Sequence, residues 1–400
     1  MDLLKGIRVA DFTHAFAGPT GTQLLALMGA EVVKIESVMQ ADLATREPRD
    51  PIPRATERVS IFYATNLSKL SIRLNLKRQE AVELAKRLVK ICDIVVENFR
   101  PGVMDKLGLG YTALKEIKAD IIMVSLSSHG ANGPERTYGA YAAHMGPLSG
   151  LSYVTGYRDG PPAPIRSISD TLAGVTAMFP VLAALNYRRR SGRGQHIDCS
   201  AVESLSICMS DILMDYTMNK RVRCRDGNRH DFMAPHNCYH CKGKDKWVSI
   251  VISTEDEWRA FCNAIGNPEW TKDERFKDGP TRWDNQEELD RLIEEWTKNH
   301  TNYEVMGILQ KAGVAAIASF TNEDMVKNAH CKERDIFVEV NQPHMGKQIQ
   351  MGLPWKLSIA PKAPIRPAPL LGEHNDYVFG ELLGMSKEEI EKLEKEEVIF

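Results

Sequence analysis

Between residues 6 and 36 the chain commits itself to a parallel β-sheet. Gly6-Ile-Arg-Val-Ala-Asp-Phe12 reads as a short strand and His14-Ala-Phe-Ala-Gly-Pro-Thr-Gly21 as a turn; Thr22 to Gly29 reads as a helix and Glu31-Val-Val-Lys-Ile35 as a second strand. Two strands joined through a helix lie parallel with a right-handed crossover, and ligands bind such sheets outside the carboxyl ends of the strands. Pro19 suits a first helical turn, and Gly18 and Gly21 would let backbone amides approach an anion. The loop is not GxGxxG, so a dinucleotide site would rest on Glu36, placed about where such folds carry their ribose acid.

The alternation continues. Leu70-Ser-Ile-Arg-Leu-Asn-Leu76, Asp93-Ile-Val-Val-Glu97 and the run from Asp120 to Ser125 predict further strands, with an amphipathic helix from Gln79 to Cys92. This predicts a Rossmann-like α/β large domain over residues 1–220 with a mainly parallel sheet. After it the texture changes. A smaller α+β domain is expected over 221–330, with a strand at Lys246 to Ser253 and helices at Glu255–Ile265, Asn285–Asn299 and Tyr303–Ala312. Residues 331–400 carry a Pro-rich crossing from Ala360 to Pro369 and a charged helix from Lys387 to Glu396, and are expected to return to the large domain.

Charge and cysteine usage exclude several classes of function. Of 400 residues 43% are hydrophobic and 26% charged, with a net charge of −2 and no basic stripe, so no nucleic-acid partner is expected. No uninterrupted apolar run approaches about 18 residues and the first residues lack a signal-peptide pattern, so no membrane partner is expected. Eight scattered cysteines suggest reduced thiols and a cytoplasmic location. Cys238-Tyr-His-Cys241 is a single C-x-x-C without a second ligand pair, and it reads as strand and hairpin, so no metal is assigned to it.

Asp170 is the candidate for chemistry. It stands before an apolar run (Leu172, Val175, Met178, Phe179, Val181, Leu182, Leu185) that closes on Arg188-Arg189-Arg190-Ser191-Gly192, the pattern of a buried helix with cations on its last turn. As an N-cap it would contribute about 1 kcal/mol. Facing a cleft, with the helix start keeping it ionised, it would be a carboxylate nucleophile.

The chain resembles the class III CoA-transferases, the CaiB/BaiF group that includes formyl-CoA and carnitine CoA-transferases, over nearly its full length. The resemblance rests on Asp11-Phe12, Ala17-Gly-Pro19, Gly29-Ala-Glu-Val-Val-Lys-Ile-Glu36, Val96-Glu-Asn-Phe-Arg-Pro-Gly102, Gly108-Leu-Gly-Tyr111, Asp170 with its helix, Ser191-Gly-Arg-Gly-Gln-His-Ile-Asp198, Gly227-Asn-Arg-His230 and Leu371-Gly-Glu-His374. It implies an interlocked, ring-like dimer and a CoA-transferase in which Asp170 forms an acyl anhydride and then an enzyme–CoA thioester. By position it implies CoA contacts at His14, Phe16, Ala17, Leu74, Lys77, Asn98, Phe99, Arg100 and Lys106, and a substrate pocket that includes Tyr141. No tightly bound cofactor is implied; CoA enters as acyl-CoA, and a carboxylic acid accepts it.

This sequence departs from formyl-CoA transferase in four places. Phe16 stands for a Gln, Ser37 stands for an arginine, a basic residue near Gly139 is missing, and the glycine-rich lid has no counterpart. The shorter segment Asp231 to Tyr239 carries His236, a second candidate for the substrate pocket. These changes imply a bulkier or more apolar acyl group, with aromatic and carnitine-type acids as candidates. Two other readings share the fold: an α-methylacyl-CoA racemase, whose His and Glu would fall near Tyr141 and Thr254 and could be restored as His144 and Glu255, and one subunit of a hetero-oligomeric transferase.

Overall fold

The computed structural model describes residues 3–37, 61–165, 167–343, 345–359 and 364–400. They form two compact units, one of residues up to Tyr153 with Ala163–Arg223 and Arg334–Phe400, the other of Val154–Pro162 and Cys224–Glu333. The short segment Val154–Pro162, expected in the large domain, belongs to the second unit.

The first unit is built on strands β1 (Arg8–Asp11), β2 (Glu31–Glu36), β3 (Leu70–Arg73), β4 (Ile94–Glu97), β5 (Ile122–Ser127) and β6 (His196–Ser200). They make a six-stranded sheet in the order β3-β2-β1-β4-β5-β6, every pairing parallel, with Arg8 opposite Glu31 and Val9 opposite Ile94. The strand order reverses between β1 and β4, which is where an open α/β sheet forms its ligand crevice. Both faces are covered, as parallel strands require. Ala10, Val33, Val95 and Met123 face helix α2 (Gln79–Lys90) and the C-terminal residues Val378, Phe379 and Ile399. Val9, Val32, Val96 and Val124 face helices α1 (Ala17–Leu27) and α4 (Ser167–Ser191). The alternation of side chains along each strand feeds these two apolar layers. A short helix, α3 (Val103–Lys106), follows the loop after β4.

Several expectations are corrected here. Helix α1 begins at Ala17, five residues before the expected Thr22, with Pro19 accommodated in the first turn. Gly18 and Gly21 therefore lie inside the helix, where their missing Cβ allows close packing. A Cβ on Gly18 would stand 2.5 Å from Thr13 Cβ, and one on Gly21 2.8 Å from the Gly174 carbonyl oxygen. Strand β6 has no strand signal in the sequence, because His196-Ile-Asp-Cys-Ser200 lacks an apolar run.

Helix α4 is apolar over most of its length although no uninterrupted apolar run marks it in the sequence. Ile168–Ser191 has a mean hydropathy of 1.6 over 18 residues, long and apolar enough by length and composition to cross a membrane. Here it packs into the core through Ala173, Ala177, Met178, Val181 and Ala184, while Val175, Phe179, Leu182 and Tyr187 are exposed.

The second unit carries the antiparallel sheet β7-β8-β9, made of β7 (His236–His240), β8 (Trp247–Val251) and β9 (Ala315–Ala318). Helices α5 (Glu255–Ala264), α6 (Gln286–Thr297) and α7 (Asn302–Lys311) cover it around Phe261, Ile293 and Leu309. Its polar anchor is Arg282, which is buried, stacks over Trp258 and bonds Glu255 at 2.6 Å.

The chain then returns to the first unit as the hairpin β10 (Phe337–Gln342) and β11 (Gly346–Met351), neither predicted as a strand. Part of the expected Pro-rich crossing, 360–363, lies outside the described residues. Beyond it, 371–375 cover the free edge of β3: His374 Nδ1 accepts the Ser71 amide, the His374 amide donates to the Ser71 carbonyl, and Asn375 Oδ1 accepts the Arg73 amide. A capped edge cannot recruit another strand. The last helix is α8 (Lys387–Lys395), capped by Ser386.

Candidate active site

The crevice between β1 and β4 is walled by the turn that follows β1. Asp11, the last residue of β1, is wholly buried; its Oδ1 accepts the Thr13 amide at 2.9 Å and the Thr13 hydroxyl at 2.5 Å. Its Oδ2 accepts the Lys69 ammonium at 3.0 Å and the Thr22 hydroxyl at 2.7 Å. Burial opposes ionisation of Asp11, but the Lys69 and Lys34 ammoniums and the two threonine hydroxyls hold its carboxyl down at about 2. Burial lowers Lys69 to about 8 against the opposing pull of Asp11. Lys34, buried in the middle of β2, donates to the Thr13 carbonyl at 2.6 Å.

The next residue is gripped from the other side. Asn98, just beyond β4, accepts the His14 amide at 2.8 Å and donates to the His14 carbonyl at 2.9 Å. Ala15 follows at φ +62°, a left-handed conformation that costs a non-glycine residue about 1 kcal/mol and persists only where neighbours over-determine it. Helix α1 starts two residues later. Phe16 at its N-cap gives no side-chain cap, so the first amides are left for other acceptors.

A cleft of about 430 Å3 opens beside this turn, lined by Phe12, His14, Ile35, Glu36, Leu74, Lys77 and Phe99 among others. Four of the expected CoA contacts meet in it: His14, Leu74, Lys77 and Phe99, with the His14 and Phe99 rings 5.4 Å apart. Most of the lining is apolar, fit for the flat faces of a nucleotide base. Lys77, Arg100 and Lys106 are exposed and pair with no carboxylate among the described residues, leaving three cations for phosphates. The Arg100 guanidinium lies over Gly139, where a Cβ would come within 2.4 Å of its Nη2. That places a cation where the sequence comparison found one missing.

Other expected contacts sit elsewhere. Phe16 and Ala17 belong to the start of α1 and are not among the cleft's lining residues. The Asn98 amide is engaged with the His14 backbone on both of its atoms. Tyr141 is 77% exposed. His236 lies in the second unit, on β7, with Nδ1 hydrogen-bonded with the Asn228 carbonyl at 2.5 Å.

Asp170 is the fourth residue of α4, in its first turn and not at its N-cap as one expectation had it. Its carboxylate has no hydrogen-bond or ionic partner among the described residues. Burial pushes its carboxyl up to about 6, so the helix start does not hold it at ordinary acidity as expected. One turn further along α4, Gly174 packs against the start of α1, where its Cβ would stand 2.3 Å from the Ala17 carbonyl oxygen. Asp170 is thereby carried on the helix that crosses the N-terminus of α1. A desolvated carboxylate without a partner has the character of a nucleophile.

Sequence reasoning missed Lys34, Lys69 and Asn66, which complete the polar cluster under the turn; Lys69 Nζ donates to Asn66 Oδ1 at 2.8 Å. A signal existed in β2, where a lysine interrupts the apolar run Val32-Val-Lys-Ile35 of a strand buried on both faces. The two bases of the racemase reading are otherwise engaged. His144 Nδ1 accepts the Tyr141 amide at 3.1 Å, and Glu255 is bonded to Arg282. Among the described residues no three His, Cys, Asp or Glu side chains group as metal ligands.

The sequence profile of CoA-transferase family III matches residues 4–375. The chain belongs to this family. Among relatives of this CoA-transferase, a succinyl-CoA–D-citramalate CoA-transferase of Chloroflexus aurantiacus is 32% identical over 99% of this chain and 98% of its own. A succinyl-CoA–L-malate CoA-transferase beta subunit of the same organism is 31% identical over 99% and 98%. A solved CaiB/BaiF family protein from Brucella suis superposes with a TM-score of 0.85 at 29% identity, covering 95% of this chain and 99% of that one. The chain is therefore a CoA-transferase enzyme on a CaiB/BaiF fold.

Proposed function

We propose that this CoA-transferase moves CoA from a donor thioester to an acceptor carboxylate through covalent intermediates on Asp170. A carboxylate oxygen of Asp170 attacks the donor's thioester carbon, and the C–S bond breaks to give a mixed anhydride and CoA thiolate. The thiolate attacks the aspartyl carbonyl, releasing the donor acid and forming an enzyme–CoA thioester. The acceptor carboxylate attacks that carbonyl, giving a second anhydride, whose acyl carbon the thiolate takes to form the product and restore Asp170. No net proton moves. An anhydride conserves the acyl-transfer energy, so water must be kept out while it exists.

The observation that carries this reading is the partly buried Asp170 carboxylate, without a partner among the described residues, on the helix that crosses the start of α1. A structural aspartate in such a place would find a donor. The first amides of α1, uncapped by any side chain, are suited to receive the tetrahedral oxyanion. The cleft at His14, Leu74 and Phe99 with the cations Lys77, Arg100 and Lys106 would take the CoA nucleotide, and Tyr141 is assigned by resemblance to the acyl side. CoA enters as substrate, with no resident cofactor.

The exposed apolar face of α4 favours a dimer of interlocked chains, with a partner burying Val175, Phe179 and Leu182. A relative named as a beta subunit keeps a paralogous partner in view. All eight cysteines are free thiols, in keeping with a reducing cytoplasm.

The test is one incubation of the purified protein with a panel of acyl-CoAs in heavy water, read by mass spectrometry. Succinyl-CoA heads the panel because two relatives are named for it, followed by aromatic and carnitine-type thioesters. A hydroxylamine-labile adduct on Asp170 supports the transferase and reveals its donor. Deuterium at the α-carbon of a CoA ester, with the protein unlabelled, would transfer the case to racemisation.

A further inference from the structure

The turn that walls the cleft is held by groups that do not line it. Lys34 reaches from β2 to the Thr13 carbonyl, Asp11 takes the Thr13 amide and hydroxyl, and Asn98 takes both backbone groups of His14. Groups from β1, from β2 and from the residue just beyond β4 thus converge on two residues. All of these grips but one are on the main chain; the exception is the Thr13 hydroxyl, which ties that side chain to Asp11 as well. Neither Lys34 nor Asn98 is among the residues lining the cleft.

Such an arrangement exceeds what stability asks of a surface turn. It places two ammoniums and a carboxylate where apolar residues would pack at lower desolvation cost. It also keeps Ala15 in the left-handed region without glycine. What it achieves is geometry. With Thr13 and His14 fixed, the His14 ring is set against Phe99 on the cleft wall, and Ala15 turns the chain so that α1 opens next to α4.

We propose that Lys34, Thr13 and Asn98 are positioning residues of this CoA-transferase, which act through the backbone of Thr13 and His14 to hold the cleft wall and the first amides of α1 in the arrangement that binds acyl-CoA. Asn98, placed by resemblance among the CoA contacts, thereby acts on the protein's own chain. The proposal rests on the reading of the cleft as the CoA site. It predicts that loosening the turn weakens CoA binding out of proportion to any loss of stability, since a displacement of about 1 Å can cost up to a hundredfold in a preorganised site.

The experiment compares CoA binding by calorimetry with the urea midpoint for four variants of the full chain. Asn98→Asp keeps shape and the acceptor for the His14 amide but sets an oxygen against the His14 carbonyl. Thr13→Val removes the hydroxyl donor to Asp11 at nearly constant volume, and Thr13→Ser restores it. Leu309→Ala, in the core of the second unit, destabilises at a distance. The expected result is a CoA dissociation constant raised about tenfold or more in Asn98→Asp and Thr13→Val, recovery in Thr13→Ser, and no change in Leu309→Ala at a comparable loss of midpoint. Wild-type affinity in Asn98→Asp and Thr13→Val, with only their midpoints lowered, would reduce the network to a fold element and overturn the proposal. Equal weakening in Leu309→Ala would overturn it as well. A wild-type protein that binds no CoA would instead sink the assignment of the cleft itself.

Discussion

Gly174 and Ala17 touch so closely that a methyl group on Gly174 would lie 2.3 Å from the Ala17 carbonyl oxygen. From the α1 side the fit is also close, since a Cβ on Gly21 would meet the Gly174 carbonyl oxygen at 2.8 Å. Helices α1 and α4 cross backbone to backbone, and the crossing sets the distance between the uncapped amides of one helix and the carboxylate of the other. Gly174→Ala must push them apart. We expect a loss of about 1–3 kcal/mol in urea unfolding and a fall in kcat larger than the change in KM.

Asp170→Asn should abolish turnover and yet stabilise the fold at neutral pH. Burial raises the folded-state pKa of Asp170 to about 6, above its ordinary 3.8, so the ionised form is a cost paid only in the folded protein. That cost is absent below about pH 4 and complete above about pH 6. After allowance for solvent and for the helix N-terminus, the variant should gain about 1–2 kcal/mol at pH 7.5. Paired denaturation curves at pH 4 and pH 7.5 check this, and the two proteins should converge at the acidic end.

The same ionisation should govern the rate. Only the carboxylate attacks, so kcat/KM for the acyl-CoA should fall about tenfold per pH unit as pH drops below about 6. A profile flat down to pH 5 would show that another group, or none, limits the first step.

Lys69→Met should be far more damaging than its burial suggests, because it leaves Asp11 charged and without its ammonium partner in the core. A cost of about 3–5 kcal/mol is expected. Asp11→Asn combined with Lys69→Met should cost less than the sum of the two single changes, and a double-mutant cycle by urea unfolding measures the difference.

The sheet was legible because its strands announce themselves by type. Leu70 to Leu76 and Ile94 to Glu97 carry β-branched and apolar residues in short bounded runs, and parallel strands buried on two faces leave few alternatives. Strand β6 escaped because His196 and Asp198 are exposed at the sheet's margin and carry no apolar signature. The hairpin β10–β11 escaped for a related reason, its outward residues Glu339, Asn341 and Lys347 masking a one-sided alternation. Within the site, residue types told which groups could meet CoA but not how each side chain is engaged. Asn98 illustrates the limit: an amide suited to a ligand is equally suited to a backbone, and only the approach of the β1 and β4 loops decides between them. Asp170 was found by resemblance and motif. Its lack of a partner is a property of the space around α4, which no local stretch of sequence encodes.

The strap of residues 371–375 over β3 also sets a timetable. Ser71 waits for His374, 303 positions further along the chain, so during synthesis the edge of β3 stays open long after its own residues have left the ribosome. At the usual rate of about 5–20 residues per second, that interval lasts roughly 15–60 s. Throughout it, a nascent first unit presents an unpaired parallel edge to every neighbouring chain until His374 has emerged.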